Sequence, residues 1–304
     1  QGVSDDTQTP DEETAAEAKP LTGKICLVAG GARGVGRGVA LALGEAGATV
    51  IVTGRSTRFG YRTEGRNETV EDTAEDINEA GGNAYPYVCD HTDTRALQDL
   101  AAWLLRRHGA PDVIVSAVWG GNEGFDGSRY ADGSAWGAPF WQRGLDGLER
   151  TLETGAYAYF ATLRALVPLM TKRGSGLVVA IGFDGQDAFL GDAWYDLGKA
   201  AILRSTQIAA HELTPQGITA LHLTPGHVAT ERVIEAGHGE EATETPLYAG
   251  RAVAALAADA DVSRYSGHSL FVGDLAGEYG FTDADGEQPG RFRIDERQEQ
   301  GQEE

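Results

Sequence analysis

Short apolar runs alternate with helical segments from residue 24 to about residue 275, and this alternation restricts the fold more than any other feature of the chain. "KICLVAG", "TVIVTG", "NAYPYVCD", "DVIVSAV", "GLVVAIG", "GITALHLTPG" and "HSLFVGDL" read as seven strands. Most are continuously apolar, as strands covered on both faces must be. Between them lie stretches with helical spacing, among them "RGVALALGEAG", "RALQDLAAWLLRRHG", "ETGAYAYFATLRALVPLM" and "YDLGKAAILRSTQIAAHEL". Strands that alternate with helices imply a parallel sheet with helices on both sides. The expected class is α/β, a doubly wound parallel sheet of about seven strands in three α/β/α layers.

No shift in composition divides the chain, so a single domain is expected over residues 21–281. A flexible acidic tail is expected at 1–20 and a second acidic tail at 282–304. Two irregular stretches are long for a compact domain: 55–67 and 119–144. Both follow strand ends, where open α/β sheets bind ligands.

The net charge is −21, and each tail carries −5 of it, so the body is acidic as well. An acidic body excludes a general nucleic-acid role, because phosphate binding needs the opposite sign. Only four lysines occur: Lys19, Lys24, Lys172 and Lys199. Two readings of this surface stay open. It fits adaptation to concentrated salt, and it fits a GC-rich genome that favours arginine. No apolar run is long enough to span a membrane, and no signal-peptide pattern is visible at the N-terminus. The two cysteines, Cys26 and Cys89, sit in apolar runs. A disulfide scaffold or zinc site needs more. The expectation is a reduced, cytoplasmic protein without a metal.

"VAGGARGVGRG" joins the first strand to the first helix and spaces its glycines as Gly30-x-x-x-Gly34-x-Gly36. Such a loop turns tightly and lets backbone approach a ligand, and the helix then offers N–H groups and a positive dipole end to a pyrophosphate. The alternative is a glycine-rich turn that binds nothing. Arg33 lies within the loop, and Arg55 and Arg58 follow the second strand in "TGRSTR". Gly54 stands where an acid would accept a ribose 2′-hydroxyl, while arginines there can bond a 2′-phosphate. The cofactor expected on this ground is NADP(H).

Tyr195 and Lys199 share a helix face at i and i+4. An ammonium beside a phenol lowers its pKa from about 10 towards working pH, which suits a general acid/base. The glycine loop, "CDHTD" at Asp90, Tyr195-x-x-x-Lys199 and "LTPGHVAT" at 223–230, in this order, resemble the short-chain dehydrogenase/reductase family. The resemblance covers about residues 21–280 and implies a Rossmann-type fold. It implies that Asp90 contacts adenine and that Lys199 bonds the nicotinamide ribose. Pro225, Gly226, Val228 and Thr230 would hold the nicotinamide end. Tyr195 would give a proton to a carbonyl oxygen as hydride arrives. Gly30, Arg33, Gly34, Val35, Gly36, Arg55, Ser56, Arg58 and Ser116 complete the expected cofactor-binding set. The wider Tyr-x₆-Lys spacing of related enoyl reductases finds Ile202 where its lysine should be. The family commonly forms dimers and tetramers, so a homodimer or homotetramer through helices near 151–170 and 195–213 is expected.

The sequence departs from the family at the helpers of Tyr195. The family's serine lies twelve or thirteen residues before the tyrosine, where Gly182 and Phe183 stand. The family asparagine falls near Gly155, and Ala29 replaces the threonine before Gly30. Losing one donor at a developing oxyanion costs about 10²–10³ in rate. Asp184 has three readings: a repelling carboxylate, a neutral hydrogen-bond donor, or the cap of a turn. Trp119, Trp136, Trp141, Phe183 and Trp194 fall near the mouth of the site. They suggest an apolar or aromatic small-molecule substrate, with Trp119, Phe183 and Trp194 as its contacts. His91 is placed near adenine, and His211 and His222 read as packed or surface residues. Two functions remain in view: a carbonyl reductase (or the reverse alcohol oxidation), and a cofactor-binding protein with little or no turnover that serves as a sensor or structural subunit.

Overall fold

The computed structural model describes residues 19–294. Seven strands form one parallel sheet in the order β3-β2-β1-β4-β5-β6-β7. They are β1 (Ile25–Ala29), β2 (Thr49–Gly54), β3 (Asn83–Val88), β4 (Val113–Ser116), β5 (Gly176–Ile181), β6 (Ile218–Thr224) and β7 (Ser269–Phe271). Each strand feeds a helix that returns along one face, as the alternation requires. The order reverses beside β1, so the crevice at the ends of β1 and β4 is where a ligand site is expected.

One face of the sheet is covered by α1 (Gly34–Glu45), α2 (Val70–Glu79), α8 (Pro246–Ala258) and α9 (Val272–Tyr279). The other carries α3 (Thr94–Arg107), α5 (Ala158–Thr171) and α6 (Ala193–Leu213). Strand residues alternate between the two cores: Cys26 and Val28 face the first, Leu27 and Ala29 the second. Fully burying one such aliphatic side chain contributes about 1.5–3 kcal/mol. Helix starts follow local chemistry. Thr69 and Asp72 form a reciprocal capping box on α2, and the Asp93 carboxylate caps α3.

Three details differ from the sequence expectation. The segment before α5 is helical from α4 (Leu145–Leu152), joined by a wide turn over Glu153–Tyr157. After α6, a short helix α7 (Glu231–Glu235) follows β6. The run "HSLFVGDL" is a strand only over Ser269–Phe271 and then becomes α9.

The ordered body also does not stop at residue 281. Asp283 is buried and accepts hydrogen bonds from the Thr245 N–H at 2.7 Å and the Thr245 hydroxyl at 2.5 Å. Arg251 donates to the Thr282 and Asp283 carbonyls, and the Tyr248 hydroxyl donates to the Pro289 carbonyl. The acidic composition of 282–304 suggested a tail from residue 282 onward. Its first carboxylate instead serves the start of α8, a use that composition cannot reveal. Residues 1–18 and 295–304 of the expected tails lie outside the described residues. Among the described residues, no helix is long and apolar enough to cross a membrane.

Asp283→Ala should cost about 1–3 kcal/mol, because it strands the Thr245 donors in a buried place. Urea unfolding of both proteins measures this. A change below about 0.5 kcal/mol would mean that the C-terminal segment does not support α8.

Candidate active site

A cavity of about 710 Å³ opens at the carboxyl ends of the central strands. The glycine loop forms its floor. Gly30 holds φ at +82°, and a Cβ there would lie 2.8 Å from the Ala117 carbonyl oxygen. A side chain at Gly36 would run into the Gly30 carbonyl, so α1 can start against the loop only with glycine there. The expectation of free N–H groups at this helix start needs correction at one position. The Gly34 N–H donates to the Glu231 carboxylate of α7 at 2.8 Å. An internal anion therefore already sits at the positive end of α1.

Four arginines gather at this end. Arg33, Arg55, Arg66 and Arg232 line the cavity, and Glu64, Glu68, Glu123 and Glu235 lie among them. Arg55 pairs with Glu123, and Arg232 pairs with Glu64 while donating to the Asn122 carbonyl at 3.0 Å. These bonds tie the 55–69 loop to the 119–144 insertion and to α7. Arg33 differs from the other three in forming no salt bridge among the described residues. Burial and the nearby Arg66 push its guanidinium below the usual arginine range, and its buried Nη1 has no hydrogen-bond partner. A buried guanidinium N–H on a cavity wall fits an anionic ligand group. Arg66 was missed from sequence because it sits deep in an irregular loop, eleven residues past Arg55. Arg58 is corrected: it is exposed and pairs with Asp72 and Glu75 of α2, away from the cavity.

The Tyr195–Lys199 pair is positioned by Asp192. This buried carboxylate caps α6, accepting from the Trp194 and Tyr195 N–H groups at 3.1 Å each. Its other oxygen takes the buried Arg143 guanidinium and the Gly137 N–H. Arg143 in turn lies 4.2 Å over the Tyr130 ring. The insertion is thereby locked to the start of α6. Tyr195 stands between Trp119 and Trp136, with ring centroids 5.5 and 5.3 Å away. Lys199 Nζ lies 3.8 Å over the Trp119 ring and 5.2 Å from the Tyr195 ring centroid.

The expected lowering of the Tyr195 pKa by Lys199 is not what this arrangement produces. Burial, with Tyr130 adding to it, pushes the phenol up. Burial also pushes the Lys199 ammonium down to about 7, so the cation is weakened before it can stabilise a phenolate.

Most of the expected residues do come together. Val35, Ser56, Asp90, Pro225, Gly226, Val228, Thr230, Trp119 and Phe183 line the same cavity as the glycine loop, Tyr195 and Lys199. Ser56 also accepts from the Thr63 N–H at 3.1 Å, which shapes its loop, and Asp90 accepts from the Thr92 N–H and hydroxyl. Three other expected residues lie off the cavity wall. Ser116 is buried at the end of β4. Asp184 accepts from the Gln186 N–H at 2.8 Å, so of its three readings the turn cap is the one realised. Trp194 donates to the Gly144 carbonyl at 3.2 Å and packs on the insertion. His91 lines the cavity but is fully used by the Thr53 and Thr162 hydroxyls, each at 2.8 Å. Near the expected asparagine position, Gly155 packs on Ile202, and it is Thr154 that reaches the cavity. Its hydroxyl is occupied at both ends, by the Gly120 N–H and the Arg150 carbonyl. Phe292, outside the expected domain, lines the mouth with its ring 6.1 Å from that of Phe183.

A dinucleotide-sized crevice at the strand-order reversal, floored by a glycine loop and walled by a Tyr–Lys helix, defines a class of oxidoreductase. Comparison with known proteins gives the same class. The family model described as enoyl-(acyl carrier protein) reductase matches residues 29–265. Human "Dehydrogenase/reductase SDR family member 1" is 30% identical, covering 88% of this chain and 86% of that protein. The chain belongs to the short-chain dehydrogenase/reductase family. A short chain dehydrogenase from Mycobacterium thermoresistibile shares the fold with a TM-score of 0.72 at 24% identity, over 90% of this chain and 95% of that one. An actinorhodin polyketide ketoreductase solved with NADPH does so with a TM-score of 0.67 at 23% identity, over 83% and 97%.

The weakened Lys199 carries a pH prediction. Its folded pKa lies near 7 against an ordinary lysine value of 10.5. Between those values the unfolded chain holds a proton that the folded chain has released, so stability rises with pH. Urea unfolding should show a gain of about 1 kcal/mol per pH unit from pH 7 to about 8.5. Above that, Cys26 and Cys89, both pushed up to about 12, oppose it, because their unfolded thiols ionise first. Lys199→Met should remove the gain. A variant with the wild-type slope would place the titration elsewhere.

Proposed function

We propose that this protein is an NADP(H)-dependent oxidoreductase that reduces a carbonyl group, or oxidises the matching alcohol, on an apolar or aromatic small molecule. The observation that carries the reading is Arg33, whose buried, unpartnered Nη1 stands on the cavity wall beside Arg66 and Arg55. Three guanidinium groups suit a dianionic 2′-phosphate better than a neutral ribose hydroxyl. Gly30, Gly34 and Gly36 would receive the diphosphate at the start of α1, in competition with the Glu231 carboxylate for the Gly34 N–H.

When bound, the nicotinamide supplies or accepts a hydride. Tyr195 then gives its phenolic proton to the carbonyl oxygen, or takes it back in the reverse direction. Lys199 would hold the ribose beside it and offset charge on the phenolate. The cation that does this must come partly from its bound partners, since burial alone favours the neutral amine. Trp119, Trp136, Phe183 and Phe292 make the mouth apolar and exclude water. A second reading, a cofactor-binding protein without turnover, is supported by Gly182 and by the saturated hydroxyl of Thr154.

Fluorescence titration with NADPH and NADH tests the first step, with tryptophans on the cavity wall as reporters. The expected result is at least a tenfold preference for NADPH, with Arg33→Ala losing about tenfold, or about 1.4 kcal/mol, for NADPH alone. Preference for NADH, or binding of neither, would overturn the reading. Tyr195→Phe should keep binding and lower turnover of an aromatic carbonyl by about 10²–10⁴. NADPH binding without turnover on aromatic and aliphatic carbonyls would favour the second reading.

A further inference from the structure

Hydride addition to a carbonyl puts negative charge on its oxygen, and a single proton donor leaves that oxygen under-supported. The chain offers no serine or threonine between Val178 and Asp192 to help Tyr195. It does offer a buried histidine whose ring nitrogen is unused. His222 of β6 is fully buried, and its Nε2 has no hydrogen-bond partner. It pairs with Ala180 of β5, so its side chain lies on the α6 side of the sheet, as does residue 182.

The position of that nitrogen is specific. A Cβ built on Gly182 would run directly into His222 Nε2, with the two ring carbons beside it next nearest at 3.1 Å. The tip of the imidazole therefore occupies the space a side chain at 182 would take. Gly182 lines the cavity that holds Tyr195 and Lys199, and His222 stands behind it, buried off the cavity wall. The glycine and the histidine are complementary: any larger residue at 182 would exclude the imidazole.

Two hydroxyls flank the other nitrogen, and each can donate to it. Nδ1 lies 3.0 Å from the Ser269 hydroxyl and 3.4 Å from the Thr224 hydroxyl. The Thr224 oxygen already accepts the Asp184 N–H at 3.1 Å, so its own proton is free to point at Nδ1. An Nδ1 that accepts leaves the neutral ring protonated at Nε2. Burial, against the opposing pull of the Asp184 carboxylate and with a smaller push from Lys199, brings the imidazole down to about 4 and keeps it neutral at ordinary pH.

We propose that His222 supplies, through its Nε2–H in the space left by Gly182, the second hydrogen-bond donor at the reacting carbonyl oxygen beside Tyr195. The hydride and the phenolic proton still come from the nicotinamide and Tyr195. His222 transfers no proton and stabilises the developing charge. The inference rests on the proposed carbonyl chemistry, and its test has one readout that needs no turnover.

That readout is the tautomer of His222, from long-range ¹H–¹⁵N imidazole spectra of ¹⁵N-histidine-labelled protein, assigned with His222→Gln. The Nε2–H tautomer is expected, and an Nδ1–H tautomer overturns the proposal whatever the protein catalyses. The kinetic arm uses 9,10-phenanthrenequinone as the carbonyl probe with NADPH. His222→Ala should lower kcat about 100-fold with NADPH affinity unchanged, and His222→Gln, which keeps a donor, should lose less. Gly182→Ser alone should be damaging, because it collides with the ring. The pair Gly182→Ser with His222→Ala should recover much of the lost kcat, which a purely structural histidine would not allow. Wild-type kcat in a folded His222→Ala protein overturns the proposal. If wild-type protein binds NADPH but reduces no probe, the carbonyl-reductase reading fails, and the tautomer alone decides the role of His222 as a donor.

Discussion

Asp192 is 1% exposed and does two jobs with one carboxylate. One oxygen caps α6 and fixes the backbone of Tyr195, and the other takes Arg143 and Gly137 from the insertion. A buried ion pair of this kind adds little net stability against an apolar substitute, yet losing one partner costs about 3–5 kcal/mol. Its value here is geometric. The start of the helix that carries Tyr195 and the insertion beside it are referred to the same carboxyl group. Trp119 and Trp136 pack against Tyr195, and Tyr130 lies under Arg143.

The arginine-rich end of the cavity is organised by opposite charges. A body with a large negative charge concentrates arginines at one crevice and then neutralises most of them internally. Arg55, Arg66 and Arg232 are paired with glutamates, and those pairs span three separate segments. Arg33 keeps an unpaired nitrogen. Partial neutralisation lowers the cost of holding four guanidiniums close together, while leaving Arg33 without an acid partner. The Glu231 carboxylate at the start of α1 belongs to the same design.

Much of the site was legible because its parts are local. The glycine spacing, the Tyr195–Lys199 interval and "LTPGHVAT" each belong to one strand–loop–helix junction, and all line the cavity. The errors share a cause. Arg58 lies near the right strand end, but the side of the loop it occupies depends on α2, whose acids claim it. Asp184 stands next to the right strand but turns to cap Gln186. Trp194 neighbours Tyr195 in sequence yet faces Gly144 across the insertion. The 282–294 segment looked like a tail because nothing in its composition announces that Asp283 serves Thr245.

The sequence by itself determined the parallel α/β layers, the order of the glycine loop and the Tyr–Lys helix, and the crevice where they meet. Continuous apolar strand runs, the 3.6-residue helical period and glycine spacing are written into neighbouring residues, so they can be read locally. Only the tertiary structure decided which arginine is left without an acid partner, which carboxylate holds α6, and that His222 fills the space beside Gly182. Those outcomes depend on partners tens to hundreds of residues apart, such as Arg232 and Glu64, 168 positions distant. Competition among several possible hydrogen-bond partners is resolved only when folding brings them within about 3 Å of one another.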